Sequence, residues 1–239
     1  MKFTLRNLHR WLGFFAGLQL LAWTVSGLYF TLIPIEEIRG NHLLTKEKPK
    51  EPTLGQINLI SPTEIAIRHP EIAKAKASDL RLSLALGTPV YLIGNQRFDA
   101  ATGNALPRID KQDAIKIINA RFHADIIDVE LVEHAAIDSE YRNGELPAWK
   151  ANLAEENAAI YVGLQTGRIR AIRTDSWRLF DFLWSLHIMD YEERENFNHL
   201  LIQSLAALSL ITVLSGLALF FTTLRFKSRQ PETQDAQSG

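Results

Sequence analysis

Cysteine is absent from the 239 residues. That absence excludes disulfides, covalent attachment of c-type haem, iron–sulfur ligation and thiol catalysis. Neither sign of charge is in excess: 26 Lys and Arg stand against 27 Asp and Glu, a formal charge of −1. Nucleic acid is therefore not expected as a partner, because its binders carry a basic excess. G-x-S-x-G, H-E-x-x-H, a P-loop and G-x-G-x-x-G are all missing. Hydrolase, zinc-protease and nucleotide-cofactor chemistry thus lack their usual motifs.

The mean hydropathy is close to zero but unevenly spread. Residues 11–33 (WLGFFAGLQLLAWTVSGLYFTLI) and 200–223 (LLIQSLAALSLITVLSGLALFFTT) contain no charge. Each is long enough for the ~30 Å hydrocarbon layer at ~1.5 Å per residue. Both must be helical, because lipid offers no partner to backbone N–H and C=O groups. The first run exceeds a signal-peptide core of ~7–15 residues and lacks an A-x-A site, so it is expected to be an uncleaved anchor. Lys2, Arg6 and Arg10 precede the first run, and Arg225, Lys227 and Arg229 follow the second. By the positive-inside rule both termini are cytoplasmic and the intervening domain is extracytoplasmic: the periplasm, at a bacterial inner membrane. The tail after Arg229 is polar and expected to be disordered.

The expected division is a cytoplasmic N-terminus (1–10), a first transmembrane helix (11–33) and a juxtamembrane segment and linker (34–60). Two modules (61–107 and 108–174) and an amphipathic interfacial helix (175–198) follow. The second transmembrane helix (199–224) and a cytoplasmic tail (225–239) complete the chain. The linker is marked by KEKPKEP at 46–52. The modules form an imperfect repeat. Ser61-Pro62-Thr63-Glu64 and Asp110-Lys111-Gln112-Asp113 each read as a capped helix start. Candidate strands lie at 79–85, 89–93, 126–133, 148–154 and 159–164. Both modules end on strand, Thr-Gly turn, strand: DAATGNAL and GLQTGRIRAI. Glycine there supplies the positive φ of a hairpin turn.

A helix followed by an antiparallel hairpin with D-x-x-T-G-x resembles the PepSY module. LHRWLG (8–13) and WTVSGLY (23–29) resemble the first helix of PepSY-associated transmembrane proteins. LHIMDY (186–191) and FNH (197–199) resemble that family's approach to its last helix. The resemblance implies an α+β membrane protein, two transmembrane helices flanking an extracytoplasmic domain of two PepSY-like helix-plus-antiparallel-sheet modules. Larger members resemble haem-containing reductases of ferric siderophores. This chain has fewer helices, so a complete electron path would need two copies, a homodimer giving four helices.

Four of seven histidines flank the spans: His9, His42, His187 and His199. Ionisable groups at membrane depth are costly, and imidazole is the usual axial ligand of b-type haem in helical bundles. All four are candidate haem b ligands. For His9 the plainer alternative is an interfacial residue beside a Gly13-x-x-x-Gly17 packing seam. For the others it is an interfacial helix whose histidines bond carboxylates such as Glu36, Glu37 or Asp190. Trp177, Phe180, Leu183, Trp184 and His187 share one helical face. Met189 is a conceivable axial ligand, though a lone methionine is more often packing. Asp190, Glu192, Glu193, Arg194 and Glu195 read as a solvated face, or as carboxylates drawing a ferric species. His69, His123 and His134 show no metal spacing, and no metal site is expected.

Two functions follow. One is a b-haem redox component, passing electrons to a ferric siderophore in iron uptake. The other is a non-enzymatic accessory or regulatory protein whose modules bind a partner protein, by strand addition, or inhibit a peptidase.

Overall fold

The computed structural model describes residues 5–44, 52–85 and 87–227. The helices are α1 (Leu5–Leu32), α2 (Ile35–Ile38), α3 (Pro62–Arg68), α4 (Lys111–Asn119), α5 (Asp175–Ile188) and α6 (Leu200–Lys227). The strands are β1 (Leu80–Ala85), β2 (Thr88–Ile93), β3 (Gln96–Asp99), β4 (Ala105–Leu106), β5 (Ile126–Val132), β6 (Ala148–Leu153), β7 (Ala159–Gly163) and β8 (Ile169–Arg173). They form two antiparallel four-stranded sheets, in the orders β1-β2-β3-β4 and β5-β6-β7-β8. The expected α+β class is what the chain adopts: two long apolar helices flank two helix-plus-sheet modules. The linker at 46–52, except Pro52, and the tail after Arg229 lie outside the described residues.

The chain divides into a helical unit and a central unit, Ile33–Asp181. In the helical unit α1 packs on α6. Candidate spans run over His9–Leu32 and Leu200–Thr222. Phe14, Leu18, Leu21, Leu28, Leu210, Leu214 and Phe220 are exposed, as side chains facing lipid would be. The face α1 turns inward holds small residues, with Ala16 and Ser26 fully buried, while Ser209 and Thr212 are buried on α6. Ser26 and Thr212 are tolerated at this depth because each bonds its own helix, Ser26 to the Ala22 carbonyl and Thr212 to the Leu208 carbonyl, whereas Ser209 Oγ has no partner among the described residues.

In the central unit each module starts on a side-chain cap. Ser61 Oγ accepts from Thr63 N, with Pro62 opening α3, and Asp110 Oδ1 accepts from Asp113 N. Ile65 of α3 seals one face of the first sheet with Tyr91, Ile93 and Phe98. Ala114, Ile117 and Ile118 of α4 do the same for the second, against Val129, Ala151, Leu153, Ile160 and Val162. The second sheet is also covered on its other face, by Tyr141 stacked on Tyr161 at 4.0 Å. Hence β7 is buried at every residue and lacks polar alternation. The Thr-Gly turns form as expected. Asp99 accepts from Thr102 N and Ala101 N, which holds its carboxyl below the usual range, and Gly103 takes φ 77°. Gly167 takes φ 62° in the second module.

The amphipathic helix is shorter than the expected 175–198. It stops at Ile188, and Met189 adopts φ 59°, the left-handed conformation of a helix C-cap. The cause is Asp190. Its carboxylate gathers the backbone N–H groups of Glu192, Glu195 and Asn196, an alternative to helical hydrogen bonding. Burial pushes this carboxyl up, but these N–H groups outweigh it and hold it below the usual range.

Candidate functional site

Two histidines of the helical unit are fixed by the same device. His187 Nδ1 lies 2.7 Å from Ser26 Oγ. Ser26 has one hydroxyl proton, and it is directed to the Ala22 carbonyl at 2.8 Å. With its proton on that carbonyl the serine accepts from His187, and in that tautomer the imidazole proton is on Nδ1 and the lone pair of the neutral ring on Nε2. At the other end of the helix pair His9 Nδ1 lies 2.7 Å from Ser215 Oγ, whose proton is directed to the Thr212 carbonyl at 2.8 Å. In the same tautomer His9 Nδ1 donates and Nε2 keeps the lone pair. A ring with Nδ1–H fixed by a backbone-tethered acceptor is oriented for ligation through Nε2.

The surroundings differ. His187 stands among Phe30 (5.6 Å between centroids), Trp23 (6.2 Å) and Trp184 (6.4 Å, nearly parallel at 6°). Burial holds its imidazole below the ordinary value. His9 instead rests on Gly216, where a Cβ would stand 3.0 Å from its Cε1. Gly13 and Gly17 have nothing within 4 Å of their Cβ positions, so no packing seam forms there among the described residues.

His199 and His42 have different surroundings. The C-terminus of α5 leaves carbonyls that its own helix cannot satisfy. Trp23 Nε1 donates to His187 O at 2.7 Å, and His199 Nε2 donates to Ile188 O at 3.0 Å. His199 is thus a capping donor close to His187. His42, in the central unit, pairs through Nε2 with Glu156 Oε1 at 2.8 Å and is exposed. Met189 is the left-handed residue ending α5 and is buried. His9 and His187, bound to positions 215 and 26, mark levels of α1 about 17 residues, or roughly 25 Å, apart. One chain offers one Nε2 at each level, not a facing pair. Among the described residues no three His, Cys, Asp or Glu cluster as a metal site.

The central unit holds a cleft of about 980 Å³ between the two modules. Arg39, Arg121, Arg168, Arg170 and Arg173 line it, and among the described residues no carboxylate does. Its walls include residues 82–84 of β1 and 169–173 of β8. Successive strand residues point to opposite faces, so consecutive residues line one cleft only along a strand edge. Both strands are terminal in their sheets. Arg170 lies 3.5 Å from Glu145. Arg173 is placed by Glu140, whose carbonyl accepts from its Nε at 2.7 Å, and it stacks on Trp177 at 3.9 Å. Burial lowers its pKa. Glu140 also accepts from Tyr161 OH and Arg178 Nε, both at 2.8 Å, while Arg142 Nη2 meets the buried Asp181 carboxylate at 2.5 Å. This network ties β8 to the first turns of α5.

A family profile describing the PepSY-associated TM region matches residues 6–236. The chain belongs to that family. No match is found among characterised proteins or among solved structures. As a PepSY-associated membrane protein it carries the expected modules and both apolar helices, and it associates with the bilayer through them. The sequence pointed to His9, His187 and His199 as boundary residues. It also marked Ser215 and Gly216 as positions of close helix contact, where His9 indeed sits, but it did not mark Ser26 or a serine as the group that orients a histidine. Nor did it point to the arginine cleft. The signal available was R-I-R-A-I-R at 168–173, three arginines within six residues at and just before one edge strand.

Proposed function

We propose that this PepSY-associated protein is a haem b-binding redox component of the bacterial inner membrane that supports reduction of ferric complexes in iron uptake. Both termini are cytoplasmic and the central unit is periplasmic. The observation that carries the proposal is the pair of serine-tethered histidines, His187 on Ser26 and His9 on Ser215. Each would hold the haem through Nε2, and each chain supplies one such nitrogen per level. A second copy supplies the opposing ligand, and the open strip at Gly13 and Gly17 lets another helix approach. Bound haem would supply one-electron transfer between a donor and a ferric siderophore. The chain's own residues orient imidazole, keep Nδ1 protonated and wall the His187 level with Phe30, Trp23 and Trp184. Haem content of the purified protein tests this. We expect a Soret band that weakens in His187→Ala and in His9→Ala. A colourless protein, still colourless after haem reconstitution, would refute it.

A second reading is favoured by the cleft: an accessory protein whose central unit binds a partner protein or inhibits a peptidase. Two sheet edges facing one cavity support it, since an unpaired edge is a template for another chain. A photo-crosslinker at Leu82 that captures one stoichiometric partner in cells would favour it, and no capture would count against it.

A further inference from the structure

The cleft carries more detail than partner binding in general. Its two walls are chemically unlike. The β8 wall is studded with Arg168, Arg170 and Arg173, with Arg121 and Arg39 nearby. Charged side chains along an edge discourage pairing of a further strand. The β1 wall, Leu82-Ser83-Leu84, is uncharged and is a far better template. Two buried polar atoms along the cleft have no partner among the described residues. Ser83 Oγ is one, on a side chain only 8% exposed, and Arg121 Nε is the other. Arg39, Arg121 and Arg168 also have no carboxylate within 4.0 Å among the described residues. Buried donors are normally satisfied, so such orphans mark a place where a further group belongs.

We infer that the cleft binds an acidic, extended segment of a partner protein, which adds to β1 as a fifth strand of the first sheet and sets carboxylates against Arg121 and Arg168. This rests on the second reading above and names its ligand. The backbone of the segment pairs with the β1 edge, which spans six residues. Alternate side chains then point to opposite sides. Carboxylates on the side toward β8 meet guanidinium groups, which accept them in bidentate geometry. A hydroxyl or carbonyl of the segment satisfies Ser83 Oγ. Acidic residues are therefore required at every second position, and a basic segment is excluded by like charge.

The test uses the full chain in nanodiscs of neutral phosphatidylcholine. The probe is a fluorescein-labelled eight-residue peptide alternating glutamate and valine, read by anisotropy. Binding should be saturable, weaken as salt is raised, and fall at least ~tenfold in Arg121→Gln/Arg168→Gln. Lysine in place of glutamate should abolish it. So should methylation of alternate backbone nitrogens, which leaves the charge but removes the ladder. Ser83→Ala is the mild variant, and a several-fold loss is expected from it with an unchanged circular-dichroism melt. No binding, or equal binding of the lysine or N-methylated peptide, overturns the inference. Anionic phosphatidylglycerol vesicles that bind the cleft more tightly than the peptide would assign it to a lipid surface and also overturn it. Binding that appears only after residues 45–51 are replaced by Gly-Ser would assign it to the chain's own linker. If the Leu82 crosslinker captures a partner but the peptide does not bind, the inference fails and the second reading stands. If neither occurs, both fail.

Discussion

The two histidine joints of the helical unit use one device in two settings, and the contrast shows what each setting adds. At both, imidazole Nδ1 lies 2.7 Å from a serine hydroxyl that also bonds a carbonyl of its own helix. His9 is held by that bond and by a glycine that makes room. His187 is held in addition by three aromatic rings, and the carbonyl of its own residue receives Trp23 Nε1. The bond sets the orientation of the ring. The packing sets how much folding free energy the joint carries. The His187 joint should therefore matter to both architecture and chemistry, and the His9 joint mainly to chemistry.

Breaking the contrast at its strong end should give the largest effect. His187→Ala empties an aromatic-lined site and is expected to destabilise the helical unit by about 2–4 kcal/mol. His9→Ala should cost about 1 kcal/mol, mostly a lost hydrogen bond. Unfolding in mixed micelles, followed by tryptophan fluorescence, measures both. Equal losses would remove the distinction. Next, Ser26→Ala removes the fully buried hydroxyl that meets the half-buried His187 ring, at about 1–3 kcal/mol. Ser215→Ala, at the more open joint, should cost about half as much.

Acid should separate the two ends. The folded pKa of His187 lies below its unfolded value because burial disfavours the imidazolium. Between the folded value and the unfolded ~6.5, the unfolded chain binds more protons, so stability rises with pH. The joint is thus fully stabilising above ~6.5 and weakens progressively as pH falls through that window. A fluorescence-detected pH titration of stability should show this slope in the wild type and a flatter one in His187→Gln. An unchanged slope would mean another group titrates there. The smallest expected effect is at the weak end. Gly216→Ala pushes on His9 Cε1 and should cost about 1 kcal/mol, with the His187 level untouched.

Both spans and both sheets were legible in the sequence because their signals are local. Uncharged runs at 11–33 and 200–223, cap residues Ser61 and Asp110, and the Thr-Gly turns each act within a few residues. The end of α5 was not. Helical periodicity through Trp184 and His187 suggested continuation, and the capture of backbone amides by Asp190 stops it. The candidate site was half legible. A histidine at a membrane boundary is conspicuous, but the serine that orients it is far away: Ser26 and His187 meet across 161 positions. The cleft was less legible still, since Arg39, Arg121 and Arg168 come together only when two modules are placed side by side. His42, grouped with the others by sequence, instead forms an exposed pair with Glu156.

The most direct test of the proposed function is a reduced-minus-oxidised visible spectrum of the purified protein in nanodiscs, beside Ser26→Ala and His187→Ala. The account predicts a b-type difference spectrum in the wild type, a shifted or weakened one in Ser26→Ala where the tether is lost, and loss of the His187-dependent component in His187→Ala. A wild-type protein that shows no difference spectrum with haem supplied, or a spectrum unchanged in His187→Ala, would contradict it.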